Sequence, residues 1–259
     1  MAFIGDFHVG SKYAVWPVEY KNDTGAVIRA APGQAKMAGY VSEIGKIMDR
    51  ENVDTLVMLA DMIEGKNPKG QGQGLIMGEI EDQIAASIQL VKPLAYGRDV
   101  IATSGSDYHE SRDINVAATM AKALGGTYVG RVRTLKIEGT NRYMNIGHGE
   151  SGAVFYVATV MERGGVSQFE AVAKKKAHGA DLIVRAHMHV YRHLDVPGLH
   201  YVQIPCMKAW EPSKIFSKDY FKQQPDLGFV IINIDQEDRI TVWHYLFPSV
   251  PIADPLMSI

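Results

Sequence analysis

The chain has 259 residues, of which 46% are hydrophobic and 22% charged, and its formal net charge is −2. These are values of an ordinary globular protein, and the near-neutral charge argues against broad, tight binding to nucleic acid or to an anionic membrane. No apolar run approaches the roughly 20 residues that span a bilayer, no signal peptide is visible and Cys206 is the single cysteine, so we expect a cytoplasmic protein with no membrane partner and no internal disulfide.

The first half of the chain alternates short apolar runs with helical patterns. The apolar runs predict strands at residues 2–5, 55–60 and 99–103. Apolar residues at helical spacing predict helices at about 34–50, from Ile80 to Val91 with an end before Pro93, and at 112–125. Residues 11–33 and 64–74, rich in turn-forming residues, are expected to be loops.

The second half begins with strands and two helices and ends mostly in strands. A pair of strands is predicted at 132–137 and 142–146. Helices follow at about 151–163 and 166–178, separated by Gly164 and Gly165. Further strands are predicted at 182–185, 199–204, 228–234 and 239–246. With no clear linker, this order favours a single layered α/β domain over residues 1–259 with two sheets.

Residues that bind hard divalent metals follow most of these apolar runs. The ends of strands are where α/β folds collect their functional groups. The segments are Asp6-Phe7-His8, Asp61, residues 105–110 (Gly-Ser-Asp-Tyr-His-Glu), Gly147-His148 and His187-Met188-His189.

Each segment has an ordinary structural explanation when it is taken alone. An Asp-x-His triplet occurs by coincidence, Asp61 could cap a helix or turn, and His148 could lie in a surface loop. The histidines at 187 and 189 could be core residues with satisfied hydrogen bonds. Their occurrence together, in order and at strand ends, instead favours a metal site.

The residue types suit hydrolysis of a phosphate ester at two metal ions. Two divalent ions lower the pKa of a water between them and neutralise the phosphoryl oxygens. Asp61, alone at a strand end, is the best candidate to bridge both ions. Residues i and i+2 of an extended segment point the same way, so Asp6 and His8 could reach one ion together. The leaving group needs a proton donor, for which His109, oriented by Glu110, is the candidate.

The same motifs resemble those of the calcineurin-like metallophosphoesterases, and the residues within and around them are closest to those of viral and proviral members. The order Asp-x-His, Asp, Gly-(Asn)-His-Glu, Gly-His and His-x-His carries the resemblance. Residues 6–12 (Asp-Phe-His-Val-Gly-Ser-Lys) look like the opening segment of the viral members. Residues 205–210 (Pro-Cys-Met-Lys-Ala-Trp) and 225–228 look like their tail.

The resemblance implies a fold and a set of roles. The fold is a four-layer α/β/β/α sandwich with two mixed sheets, the metallophosphoesterase fold. The first metal would be held by Asp6, His8, Asp61 and His189, and the second by Asp61, His148 and His187. His109 would be the proton donor.

The chain departs from the family pattern at two places. The Gly-Asp of the family is Ala60-Asp61 here, so a small residue is kept. The asparagine of Gly-Asn-His is missing, and two extra residues precede His109. Either Ser106 or Asp107 would then supply the oxygen to the second metal. We favour Asp107, since its carboxylate is the stronger oxygen ligand.

The expected protein is therefore a metal-dependent phosphoesterase. Two divalent ions are expected, with manganese preferred and iron or zinc as alternatives. The expected substrate is a phosphate ester. One alternative is a nuclease that acts on DNA or RNA with the same site, and another is a metal-poor scaffold of the same fold that binds proteins.

Overall fold

The computed structural model describes residues 1–68, 71–109, 114–149, 161, 163–166, 179–210 and 224–250. Within these residues, three helices have full bounds: α1 (Pro32–Arg50), α2 (Ile80–Ala95) and α3 (Val116–Ala123). The strands of the N-terminal half are β1 (Ala2–Ile4), β2 (Glu19–Lys21), β3 (Val27–Arg29), β4 (Thr55–Met58), β5 (Asp99–Ala102) and β6 (Thr127–Tyr128). Those that follow are β7 (Val132–Lys136), β8 (Tyr143–Gly147), β9 (Leu182–Arg185), β10 (Arg192–Val196), β11 (Leu199–Gln203), β12 (Leu227–Ile234) and β13 (Ile240–Phe247).

The strands form two mixed sheets and a small hairpin. The first sheet has six strands in the order β13-β12-β1-β4-β5-β6, and β1, β4, β5 and β6 run parallel. The second sheet has five strands in the order β10-β11-β9-β8-β7, with β8, β9 and β11 parallel. In the first sheet β12 pairs antiparallel with β1 and with β13. In the second sheet the edge strands β10 and β7 pair antiparallel with their neighbours, and β2 and β3 form the hairpin. These are the mixed sheets expected of the fold.

The packing of the two sheets explains why their strands read as apolar runs. A buried cluster that includes Phe3 and Val57 of the first sheet and Ile146 and Val184 of the second joins the two sheets face to face. Strands covered on both sides need apolar residues on both faces.

The opposite faces of both sheets are covered as well. α1, α2 and α3 cover the first sheet, through residues such as Ile44, Leu90 and Met120 packed with Ile4. On the second sheet, Met161 packs with Ile183, Leu199 and Tyr201. The layers therefore follow in the order of the three helices, the first sheet, the second sheet and the helical residues around Met161, which is the α/β/β/α layering expected.

Most predicted elements are confirmed, with bounds shifted by at most four residues, the largest shift being the start of α3. Residues 11–33 are an exception, because they hold the β2–β3 hairpin, closed by a turn in which the Asn22 side chain accepts from the Ala26 amide. The predicted end of α2 before Pro93 is also wrong. Pro93 has no amide hydrogen to donate within the helix. The next residue, Leu94, is buried in the core, and this packing stabilises the helix as far as Ala95, two residues past the proline.

The predicted helix break at Gly164 and Gly165 is wrong too. Residues 163–166 are helical, and most of the two helices predicted at 151–163 and 166–178 lies outside the described residues. A Cβ on Gly164 would lie 2.7 Å from the Tyr201 ring, and one on Gly165 3.1 Å from Leu199. These glycines therefore serve close packing of a helix on the second sheet.

No helix in the described part of the chain is long and apolar enough to cross a membrane.

Candidate metal centre

The carboxyl ends of the parallel strands in both sheets meet at one edge of the sandwich. Asp6 and Asp61 follow β1 and β4 of the first sheet, and His148 and His187 follow β8 and β9 of the second. The His187 amide donates to Asp6 Oδ2 at 2.7 Å, and His148 Nε2 lies 2.9 Å from Asp61 Oδ2. The two sheets thus bring together side chains far apart in the sequence, as expected from the positions of the motifs.

The backbone at this edge is left-handed at most of the candidate ligands. Residues with positive φ other than glycine include Asp6 (51°), His8 (48°), Asp61 (45°), His187 (82°) and His189 (59°). Such angles cost free energy for L-residues and cluster at functional sites. The expectation that an extended segment aligns Asp6 with His8 is therefore wrong in its geometry. Sharp turns at the strand ends bring the two side chains together.

A first group of possible metal ligands consists of Asp6, His8 and His189. Asp6 and His8 are buried, with 0% and 2% exposure, and His189 is half-buried. The Nε2 atoms of His8 and His189 are 3.1 Å apart. Asp6 Oδ1 lies 3.6 Å from His189 Nε2 and 3.8 Å from His8 Nε2. The three side chains therefore present their donor atoms to one small space.

A second group consists of Asp61, His148 and His187. His148 Nε2 is 3.1 Å from His187 Nδ1. The Nδ1 atom of His148 is 3.1 Å from the carbonyl oxygen of Leu59. A proton on Nδ1, donated to this carbonyl, would leave Nε2 of the neutral ring as the atom that binds a metal. The backbone thus orients this ring.

The donor set fits divalent metal ions. Two ligands that bind one ion at about 2.1 Å lie roughly 3–3.4 Å apart in tetrahedral geometry, and the ring nitrogens of both groups are 3.1 Å apart. Asp6 Oδ1 is buried and has no hydrogen-bond partner among the described residues, which is costly for a carboxylate unless a cation neutralises it. Imidazole and carboxylate donors suit manganese, iron and zinc.

The charges within the second group support one another in the metal-free state. Burial opposes ionisation of Asp61, but the hydrogen bond and charge of His148 outweigh it and lower the pKa of Asp61 to about 2. Burial likewise opposes protonation of His148, yet the carboxylates of Asp6 and Asp61 raise its pKa to about 9. A proton on His148 therefore takes the place of a cation, and a metal ion has to displace it.

In the first group the pKa of one histidine is lowered and that of the other is raised. Burial and the nearby Lys208 charge hold the pKa of His8 well below its usual range. For His189, burial is outweighed by Cys206 and Asp6, which raise the pKa to about 10. His8 is therefore neutral at neutral pH, whereas His189 is protonated and would have to lose a proton to bind a metal.

His109 lies beside the first group. Its ring centroid is 4.4 Å from that of His8, and the rings meet edge to face. Its Nδ1 lies 2.6 Å from the carbonyl oxygen of Glu64. Because a carbonyl only accepts, Nδ1 carries the proton of this bond, and Nε2 is left for a second partner. The contacts with Glu64 and His8 thus fix the orientation of the His109 ring.

Two residues that the sequence analysis did not assign to the site also lie there. Glu64 forms a third group of possible ligands with His8 and His109. Lys208, buried with 8% exposure, places its Nζ 2.8 Å from Glu64 Oε2. Glu64 stands three residues after Asp61, so its position beside the same strand end was a signal. Lys208 lies in the segment 205–210 that carried part of the family resemblance, but no motif marks it.

The altered loop does not place Asp107 as expected. The Asp107 side chain is 92% exposed, and its Oδ1 accepts from Arg131 at 2.9 Å. It belongs to none of the groups of possible ligands found among the described residues. Ser106 instead faces Asp61: its amide donates to Asp61 Oδ1 at 2.9 Å, and its hydroxyl lies 3.2 Å from Oδ2. The predicted residue Glu110 lies outside the described residues.

Comparison with known proteins gives distant structural likenesses. A scan of protein-family models finds no match, and a search of curated proteins finds none either. An archaeal phosphodiesterase is 11% identical, with a TM-score of 0.48, over 94% of this chain and 98% of that one. Vps29 from Entamoeba histolytica complexed with Zn²⁺ is 12% identical, with a TM-score of 0.44, over 95% and 98%.

A conserved protein of Streptococcus pneumoniae, described as a predicted phosphoesterase, is 8% identical. Its TM-score is 0.38, over 95% of this chain and 96% of that one.

Proposed function

We propose that this chain is a metal-dependent phosphoesterase with two divalent ions. Asp6, His8 and His189 would hold the first ion, and Asp61, His148 and His187 the second. The observation that supports this most is the presence of two groups of three possible ligands at one edge of the sandwich, with four of the six residues buried and with facing ring nitrogens in each group. Manganese is the preferred metal, with iron or zinc as alternatives.

Two divalent ions, when bound, would lower the pKa of a water and neutralise the oxygens of a phosphate ester. The carboxylate of Asp61 would bridge the two ions. Ser106 would orient Asp61, because its amide and hydroxyl contact the two carboxylate oxygens. We propose Ser106 in this supporting role in place of Asp107 as a ligand, since the Asp107 carboxylate is exposed and paired with Arg131.

His109 would donate a proton to the leaving alkoxide. Its Nδ1 is engaged by the Glu64 carbonyl, so Nε2 is the atom that would carry the proton. Proton transfer to a leaving group by a positioned histidine is a common form of general acid catalysis. The predicted help from Glu110 stays a prediction. The same holds for the likeness to viral members, the extent of one domain over residues 1–259 and the cytoplasmic location.

A measurement of metal content together with turnover tests the proposal. The metal-free protein, reloaded with Mn²⁺, should hold two ions per chain and hydrolyse bis(p-nitrophenyl) phosphate. Single-stranded DNA as a parallel substrate tests the nuclease alternative, and a protein that binds no Mn²⁺, Fe²⁺ or Zn²⁺ would be the scaffold alternative.

Asp61→Ala should hold less than half of the wild-type metal and lose on the order of a thousandfold in activity or more. Asp107→Ala is the matched control, because it removes a carboxylate of the neighbouring loop that is exposed. It should keep both metals and nearly full activity. A fully metallated and active Asp61→Ala variant would disprove the two-metal assignment.

A further inference from the structure

Lys208 is a buried cation next to a proposed metal site, which is an unusual place for a lysine. Its side chain is 10% exposed and that of Glu64 is 8% exposed, and Nζ lies 2.8 Å from Glu64 Oε2. Transfer of an ammonium group from water to the protein interior costs free energy, so buried lysines are found almost only where an opposite charge pairs with them. Because both side chains are buried, the pair does not serve to make the protein surface soluble, and its place beside the proposed metal site indicates another role.

The same carboxylate oxygen touches a proposed metal ligand. Glu64 Oε2 lies 2.9 Å from His8 Nδ1, although this contact lacks the geometry of a hydrogen bond. His8 also belongs to the first group, with Asp6 and His189. The charge of Glu64 would therefore act on the first ion. In the structure, the side chain that forms a hydrogen-bonded ion pair with Glu64 is Lys208.

The backbone holds Lys208 against the loop that carries the first ligands. The Met207 amide donates to the Asp6 carbonyl at 3.1 Å, and the Ala209 amide donates to the Tyr13 carbonyl at 2.8 Å. The two flanking residues are therefore hydrogen-bonded to the segment from Asp6 to Tyr13. This fixes the base of the Lys208 side chain relative to the site.

We infer that the Lys208 ammonium group takes the place of a cation in the His8–Glu64–His109 group, and so keeps the Glu64 carboxylate from the metal ions. Lys208 would be a positioning residue that acts through Glu64. A divalent ion bound to this carboxylate would lie within a few ångströms of Nζ, where like charges repel strongly. This inference rests on the proposed function.

The sign of the effect on metal binding separates this role from simple packing. If Lys208 merely supports the fold, its removal should loosen the ligands and weaken metal binding. If it neutralises Glu64, its removal should leave an unpaired buried carboxylate beside His8. Metal ions would then bind more tightly, because the site gains one negative charge.

Titration of the metal-free protein with Mn²⁺ by calorimetry tests the inference. Lys208→Met, which removes the charge but keeps an unbranched side chain, should bind Mn²⁺ about tenfold more tightly or better. Lys208→Arg keeps the charge and should bind like the wild type. The double variant Glu64→Gln/Lys208→Met should also return to wild-type affinity, since both charges are gone.

Wild-type or weaker affinity in Lys208→Met would overturn the inference while leaving the proposed function intact. A wild-type protein that binds no metal would overturn the proposed function and the inference with it. If Lys208→Met is unfolded without metal, thermal unfolding measured in the presence of Mn²⁺ tests the inference instead. Folding of Lys208→Met that Mn²⁺ restores, together with a double variant that folds without metal, supports the inference. A variant that stays unfolded in Mn²⁺ contradicts it.

Discussion

Gly105 gives the sharpest test of how the second group is built. A Cβ at this position would lie 1.9 Å from Asp61 Oδ1, 2.8 Å from the Asp61 amide nitrogen and 3.0 Å from its Cγ. Gly105→Ala must therefore push the Asp61 carboxylate away by about 1 Å, because a Cβ contact below 3.0 Å cannot persist. A displacement of about 1 Å in a catalytic group costs on the order of a hundredfold in rate. We expect Gly105→Ala to lose at least that much activity and to bind Mn²⁺ more weakly.

The assay is turnover of bis(p-nitrophenyl) phosphate at saturating Mn²⁺, with metal content and thermal unfolding measured on the same samples. Gly39→Ala is the matched control, because a Cβ there meets nothing within 4 Å and the residue lies in α1. It should keep full activity and be up to about 1 kcal/mol more stable. Wild-type activity and metal content in Gly105→Ala would refute the placement of Asp61 in the site.

Three further predictions concern the proton donor, the backbone and pH. His109→Asn should keep its metals and lose roughly a hundredfold to ten-thousandfold on esters with poor leaving groups, but much less on nitrophenyl esters; equal losses would exclude the role of a proton donor. Ala60 has a φ of 63°, whereas Ala102 does not have positive φ. Chemical denaturation should therefore show Ala60→Gly to be at least about 1 kcal/mol less destabilising than Ala102→Gly, and equal costs would argue against strain at Ala60. The pKa of His148 is raised to about 9, above its unfolded value, so its contribution to the stability of the metal-free protein is complete below about pH 6.5 and lost as pH rises through 9. Melting temperatures that rise over this range in the metal-free protein would contradict the pairing with Asp61.

Sequence patterns predicted that the six residues of the two groups lie close together, because they follow the ends of parallel strands. The apolar runs that end before Asp61, His148 and His187 are strands buried on both faces, and the carboxyl ends of parallel strands in both sheets meet at one edge. Order along the chain was therefore enough to suggest which residues meet. Their roles as metal ligands stay a proposal until metal binding is measured.

The interior partners of the site were harder to predict. Glu64 and Lys208 are separated by more than a hundred residues and meet only because β11 lies beside β9 and its following segment pairs with the loop after β1. No local pattern marks such a pair. Asp107 shows the opposite error: its residue type suited a metal ligand, but the conformation of the loop turns it toward Arg131.

Phe7 explains how the strained turn at the first ligands is held. It stands between Asp6 and His8, which both have left-handed backbone angles, and its own side chain is completely buried in the cluster on the helix side of the first sheet. Burial of a phenylalanine contributes roughly 1.5–3 kcal/mol, which offsets most of the roughly 2–4 kcal/mol that two left-handed residues cost. The core therefore stabilises a turn that places two polar side chains at the strand end, where an extended strand would have carried them away from His189. The apolar residue at the centre of the Asp-x-His motif thus supports the candidate metal centre, although it would bind no metal.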